Sequence, residues 1–89
     1  MIFSDETNLY IKNGLIPIMI KAIGIGEVGL YLTIRSFEFD NPNGVEEIKI
    51  LESSSDGIAK NKKVLDRLIK MGYAEKTEER VKTTNKQFE

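Results

Sequence analysis

The sequence predicts an α+β domain of three to four helices followed by a C-terminal β-hairpin, with one short strand near the N-terminus. Three observations carry that expectation. Residues 56–72 separate, at about 100° per residue, into an apolar face of Ile58, Leu65, Leu68, Ile69 and Gly72 and a cationic face of Lys60, Lys63, Arg67 and Lys70. Residues 15–23 and 27–37 carry apolar side chains at helical spacing between glycine and turn signals. After Gly72 the pattern changes to two short β-prone runs, 73–77 and 80–84, separated by Glu78-Glu79.

Taken in order, Met1 to Asn8 is polar and ends in Asp5-Glu6-Thr7-Asn8, which favours a turn. Leu9-Tyr10-Ile11 reads as a short strand closed by the turn pair Asn13-Gly14. In 15–23, Pro17 suits the first turn of a helix, and Ile16, Met19, Ile20 and Ile23 share a face until Gly24 ends it. Residues 27–37 are apolar around much of the girth, through Val28, Leu30, Tyr31, Leu32, Ile34 and Phe37, as the central helix of a small bundle is. Phe39-Asp-Asn-Pro-Asn-Gly44 is a loop. Val45, Ile48 and Leu51 then have helical spacing, with Glu46 and Glu47 at the end where the helix dipole favours acids, so 45–52 is expected to be a short helix. Ser53-Ser54-Ser55 turns the chain into the 56–72 helix, for which Asp56 is the expected N-cap and Gly72 the C′ residue. Tyr10, Tyr31, Phe37 and Phe39 are expected to pack rather than to stack on a ligand.

Length and composition exclude a good deal of chemistry. Eighty-nine residues suit a single domain, and 40% hydrophobic with 30% charged content is ordinary for a globular one. The chain stops on Phe88-Glu89, within a run read as β-prone, so it is expected to be the N-terminal part of a longer protein. With no Cys and no His, disulfides, thiol nucleophiles, His-based triads and the usual zinc sites are unavailable. No acidic spacing suggests a metal site, and no cofactor is expected. Gly24-Ile-Gly26-Glu-Val-Gly29 matches Gly-x-Gly-x-x-Gly in letters, but it follows no convincing strand and the chain is too short for a dinucleotide domain. An enzyme is not expected. No apolar run reaches the ~20 residues that span a bilayer, and no signal peptide is visible, so a cytoplasmic location is expected.

Charge is distributed unevenly. Residues 1–56 hold four basic and nine acidic groups, hence −5; residues 57–89 hold nine and five, hence +4, which together give the net −1. A basic C-terminal third suits a polyanion bound on one face, and the acidic remainder argues against wrapping it.

The motif Leu65-x-x-Leu68-x-x-Met71-Gly72-Tyr73 resembles the Leu-x-x-Leu-x-x-Leu-Gly-Tyr/Leu signature that ends the recognition helix of a winged helix-turn-helix and starts its wing. With Asp56-Gly57 ahead of it and the 10–32 segment upstream, the chain is similar to the N-terminal winged-helix domains of DnaD-type primosomal proteins and of phage and plasmid replication organisers from Gram-positive bacteria. The resemblance implies a DNA-binding module, sequence- or structure-specific, in DNA replication, plasmid maintenance or transcription regulation. The expected partner is double-stranded DNA, with a homodimer or higher oligomer as an option giving two half-sites; neither a membrane nor a small-molecule substrate is expected. Lys60, Asn61, Lys62, Lys63, Arg67 and Lys70 would enter the major groove, and Lys76, Arg80, Lys82 and Lys86 on the hairpin would reach the flanking backbone. Roughly five to seven phosphate contacts would make affinity fall steeply with salt.

Two features favour blander readings. A four-cation stripe is also what a solvated helix face looks like, and the hairpin turn carries two adjacent acids, a departure from a phosphate-binding wing. The alternative is a winged helix used for docking or oligomerisation, with the apolar 9–23 segment as its interface.

Overall fold

The computed structural model describes residues 2–4, 9–11 and 14–88. Strand β1 (Ile2–Ser4) pairs antiparallel with β2 (Leu9–Ile11), Ile2 lying opposite Ile11 and Ser4 opposite Leu9. The sequence reading anticipates β2 alone, since Ile2-Phe3-Ser4 stands in a stretch read as polar and its two apolar residues give no period to recognise. The turn expected at Asp5–Asn8, the side chain of Tyr10 and the terminal Glu89 lie outside the described residues.

Helix α1 (Leu15–Ile23) and helix α2 (Ile25–Phe37) share one residue, Gly24, as C-cap and N-cap. Its N–H donates to the Ile20 carbonyl at 2.7 Å, and its own carbonyl accepts from Val28 N–H at 3.0 Å. The two helices meet at 117° across it. At φ 99° and ψ 157° Gly24 occupies a region that a side chain would forbid. In α1 the buried stripe is Leu15, Met19 and Ile23, while Ile16, expected inside, is exposed. The helix is apolar on nearly every side, so its pattern cannot tell which face is covered. Helix α2 starts two residues earlier than expected, since Gly26 in a first turn costs little. It packs against α1, against α3 (Glu47–Leu51), against α4 (Ile58–Lys70) and against β5 (Arg80–Thr83), the central place that its apolar girth predicts.

The stretch expected as one short helix divides in two. Val45 and Glu46 form strand β3, and only Glu47–Leu51 is helical. Val45 sits opposite Val81 of β5 with no exposed surface, so sheet pairing of a β-branched residue overrides the helical spacing of 45, 48 and 51. Strand β4 (Ala74–Thr77) pairs with the other edge of β5, giving an antiparallel sheet in the order β3-β5-β4.

Helix α4 is capped at one end as expected and at the other not. Gly57, at φ 93° and ψ 158°, is the N-cap, so Asp56 falls one residue too early to cap the helix and approaches Lys60 at 3.9 Å instead. At the C-terminus, Gly72 at φ 86° lets Tyr73 N–H reach the Leu68 carbonyl and its own N–H reach that of Ile69, both at 3.0 Å. This is a Schellman arrangement. Beyond Thr83 the chain leaves the sheet rather than continuing as a strand. Phe88 stacks on Tyr73 with centroids 4.5 Å apart and meets Tyr31 edge-on at 5.1 Å. The deepest core residues are Met19, Ile34, Val45, Ile50, Leu65, Leu68 and Val81.

Candidate functional site

Helix α4 is held by Leu65 and Leu68, both fully buried, with Val64 and Ile69 half-covered on either side. That seating turns Ala59, Lys60, Lys63, Asp66, Arg67 and Lys70 outward. Four of the ten expected DNA-contacting residues therefore do share an exposed face. The other members of the set are placed differently.

Asn61 faces the interior, only 4% exposed. Its Nδ2 donates to the Leu51 carbonyl at 2.8 Å, and its Oδ1 accepts from Ser54 Oγ at 3.1 Å. Lys62 turns toward α3, where its Nζ lies 3.1 Å from Glu47 Oε2 and 3.2 Å from Asp66 Oδ1. Lys76 of β4 reaches the other oxygen of Glu47 at 3.1 Å. Arg80 donates to the Gly44 carbonyl at 3.0 Å. Lys86 donates to the Met71 carbonyl and lies 4.6 Å from the Tyr73 ring centroid. Arg67, although outward, pairs with Glu27 at 2.9 Å. Among the described residues Lys63, Lys70 and Lys82 form no ion pair.

Glu47 is thus an electrostatic joint between α3, α4 and β4. Burial pushes its carboxyl up, but hydrogen bonds from Lys76 and Lys62 outweigh that and leave it below the ordinary value. The same contacts from Glu47, then Asp66, raise Lys62. Tyr31 is raised chiefly by its burial beneath the C-terminal segment. The serine turn is occupied internally: Ser53 Oγ donates to the Ile50 carbonyl at 2.6 Å, and Ser54 Oγ serves Asn61.

Two clefts flank the helix and the sheet. One, of about 500 Å³, runs between α2 and α4 and is lined by Ile25, Gly29, Leu30, Asp56, Lys60 and Val64. The other, of about 530 Å³, lies between the end of α2 and the sheet, where the Glu38 carboxylate accepts from Thr83 N–H at 3.2 Å and Thr83 Oγ1 at 2.6 Å. Gly24, which opens the Gly-x-Gly-x-x-Gly stretch, joins two helices, so no strand leads into it as a dinucleotide loop requires. Among the described residues no acidic group converges on a metal-ligating cluster, and no single helix is long and apolar enough to cross a membrane.

Sequence reasoning had no access to Glu27 and Glu47 as partners of Arg67, Lys62 and Lys76. These pairs join residues far apart in the chain, and only the fold brings them together. Comparison with protein-family models, curated proteins and solved structures finds no significant match.

Proposed function

We propose that this chain is a winged helix-turn-helix module that binds duplex DNA through the exposed face of α4. The observation that carries the reading is the row Lys60, Lys63, Arg67 and Lys70 on one outward face, opposite the anchors Leu65 and Leu68. The ten steps of helix from Lys60 to Lys70 extend it over about 15 Å, comparable to the width of the major groove. Further support comes from the element order: α2, β3, α3 and α4 are followed by the β4–β5 hairpin, whose second strand closes on β3. The likeness of residues 65–73 to a recognition-helix terminus points toward a replication, maintenance or regulatory protein acting in the cytoplasm. Lys82 is the hairpin cation left to meet phosphate, since Lys76, Arg80 and Lys86 have partners within the domain.

With Lys60, Lys63, Arg67, Lys70 and Lys82 as the upper set of contacts, the logarithm of affinity should fall against that of salt with a slope of at most about −4.5. Fluorescence anisotropy with a labelled mixed-sequence duplex at low and moderate salt is the direct test. Binding that survives Lys63→Ala and Lys70→Ala together would remove the α4 face from consideration.

A second reading rests on α1 and its junction with α2. Ile16 and Ile18 are exposed, and Ile25 at 74% is more exposed than any other large apolar side chain described. Such a surface suits docking or self-association. Sedimentation of the wild-type chain beside an Ile18→Glu, Ile25→Glu variant tests it: equal, monomeric behaviour of both would exclude self-association there.

A further inference from the structure

Arg67 and Glu27 form an ion pair whose two ends sit in unlike surroundings. The Arg67 side chain is 63% exposed on the outward face of α4, whereas the Glu27 side chain is 10% exposed in the joint between α2 and α4. The carboxylate is held there by local geometry. Glu27 is the third residue of α2, where the unpaired amides and the dipole of the first turn favour a negative charge. Gly24 leaves the room: a Cβ at that position would lie 2.9 Å from Glu27 Oε1.

The Glu27 carboxylate oxygen 2.9 Å from Arg67 Nη1 offers the guanidinium the kind of anionic partner that a phosphate would. Arg67 is therefore already occupied when the polyanion arrives. Moving it to a phosphate would leave a largely buried carboxylate without its counter-charge, an unfavourable change that the exposure of Arg67 tempers but does not remove. Lys63 and Lys70, on the same face, carry no such restraint.

We infer that Glu27 is an internal competitor for the DNA backbone: it holds Arg67 on the domain and thereby limits the affinity of the α4 face. The inference rests on the α4 reading given above and adds a restraint to it. Glu27 is a positioning residue, acting through Arg67 and touching no nucleic acid itself. Glu27→Gln keeps the shape of the side chain and removes its charge, so Arg67 becomes free to meet a phosphate.

The test is a double-mutant cycle read by anisotropy with the same labelled duplex, over a salt series, with folding of each variant checked by circular dichroism. Glu27→Gln should tighten binding roughly 3- to 10-fold at moderate salt and steepen the salt slope by about one unit, as one added phosphate contact does. Arg67→Ala should weaken binding by a clearly larger factor in the Glu27→Gln background than in wild type, a non-additivity expected of residues in direct contact. Glu27→Asp, which retracts the carboxylate by one methylene, should give an intermediate gain and keeps the test available if the glutamine variant folds poorly. Unchanged affinity and slope in Glu27→Gln, while Lys63→Ala and Lys70→Ala still weaken binding, would overturn the restraint and leave the α4 reading standing. Equal losses from Arg67→Ala in both backgrounds would overturn it too. Binding by neither wild type nor Glu27→Gln overturns both.

Discussion

Asn61 of α4 donates its side-chain amide to the main-chain carbonyl of Leu51 at 2.8 Å, at the last residue of α3. The bond satisfies a carbonyl that the short helix leaves open at its C-terminus, and the second half of the same amide accepts from Ser54. Asn61 therefore ties the end of α3 to α4. Asn61→Ala is expected to lower stability by about 1–3 kcal/mol, the cost of leaving a buried carbonyl unsatisfied. Chemical denaturation of the variant checks it; an unchanged midpoint would mean that water replaces the amide without loss.

The Glu47 joint makes stability depend on pH. Its carboxyl is lowered in the folded chain, so the stabilisation is complete above the ordinary glutamate value of 4.5 and is lost as pH falls through the lower folded value. Lys62, raised in the folded chain, contributes below its ordinary value of 10.5, and that contribution fades as pH rises through the higher folded one. Glu47→Gln should destabilise by about 1–2 kcal/mol at neutral pH. The gap from wild type should close in acid, where both side chains are neutral. Denaturation midpoints of the two proteins at neutral pH and well below 4.5 decide the matter.

Glu78 holds φ 58° at the hairpin turn, a left-handed conformation that a glutamate adopts at a cost. Glu78→Gly is expected to stabilise the domain by about 0.5–1 kcal/mol. For a chain of this size that is roughly 2–8 °C in Tm. The same change removes one acid from the tip, so the duplex binding proposed above should strengthen slightly. A lowered Tm would show that the turn gains more from the side chain than it loses to strain.

Phe88 closes the aromatic cluster with Tyr31 and Tyr73, and Thr84 ties the same segment down through its N–H to the Tyr73 carbonyl at 3.0 Å and its hydroxyl to that of Gly72 at 2.6 Å. Phe88→Ala should cost about 1–2 kcal/mol through lost stacking and half-buried area. Amide exchange is the sharper readout. The Thr84 amide should lose protection while those within α2 keep theirs, and equal exchange in both proteins would mean the segment is held by its hydrogen bonds alone.

Where local rules decide the structure, the sequence was readable. Gly14 and Gly24 bracket α1 at the expected residues, Gly72 ends α4 as a left-handed cap must, and the two hairpin strands fall within one residue of expectation. Distant partners defeated it. Val45 is extended because Val81 pairs with it, and Asn61 turns inward because Leu51 ends beside it. The same holds for the charges: Lys60, Lys63, Arg67 and Lys70 were legible as one face from spacing alone. That Glu27 and Glu47 engage Arg67, Lys62 and Lys76 depends on how α2, α3 and β4 meet α4.

The pairing of β3 with β5 joins Val45 and Val81 across two helices and a hairpin. Closing so long a loop is entropically costly before its contacts repay it, whereas the α1–α2 corner and the β4–β5 hairpin form from neighbours in the chain. The sheet thus cannot be completed until nearly the whole domain has been synthesised, and β3 waits as an unpaired edge between two helices. We expect its docking to follow the folding transition state, so that Val45→Ala accelerates unfolding more than it retards refolding in a stopped-flow chevron. The reverse result would make this long-range clasp the nucleus on which the domain forms.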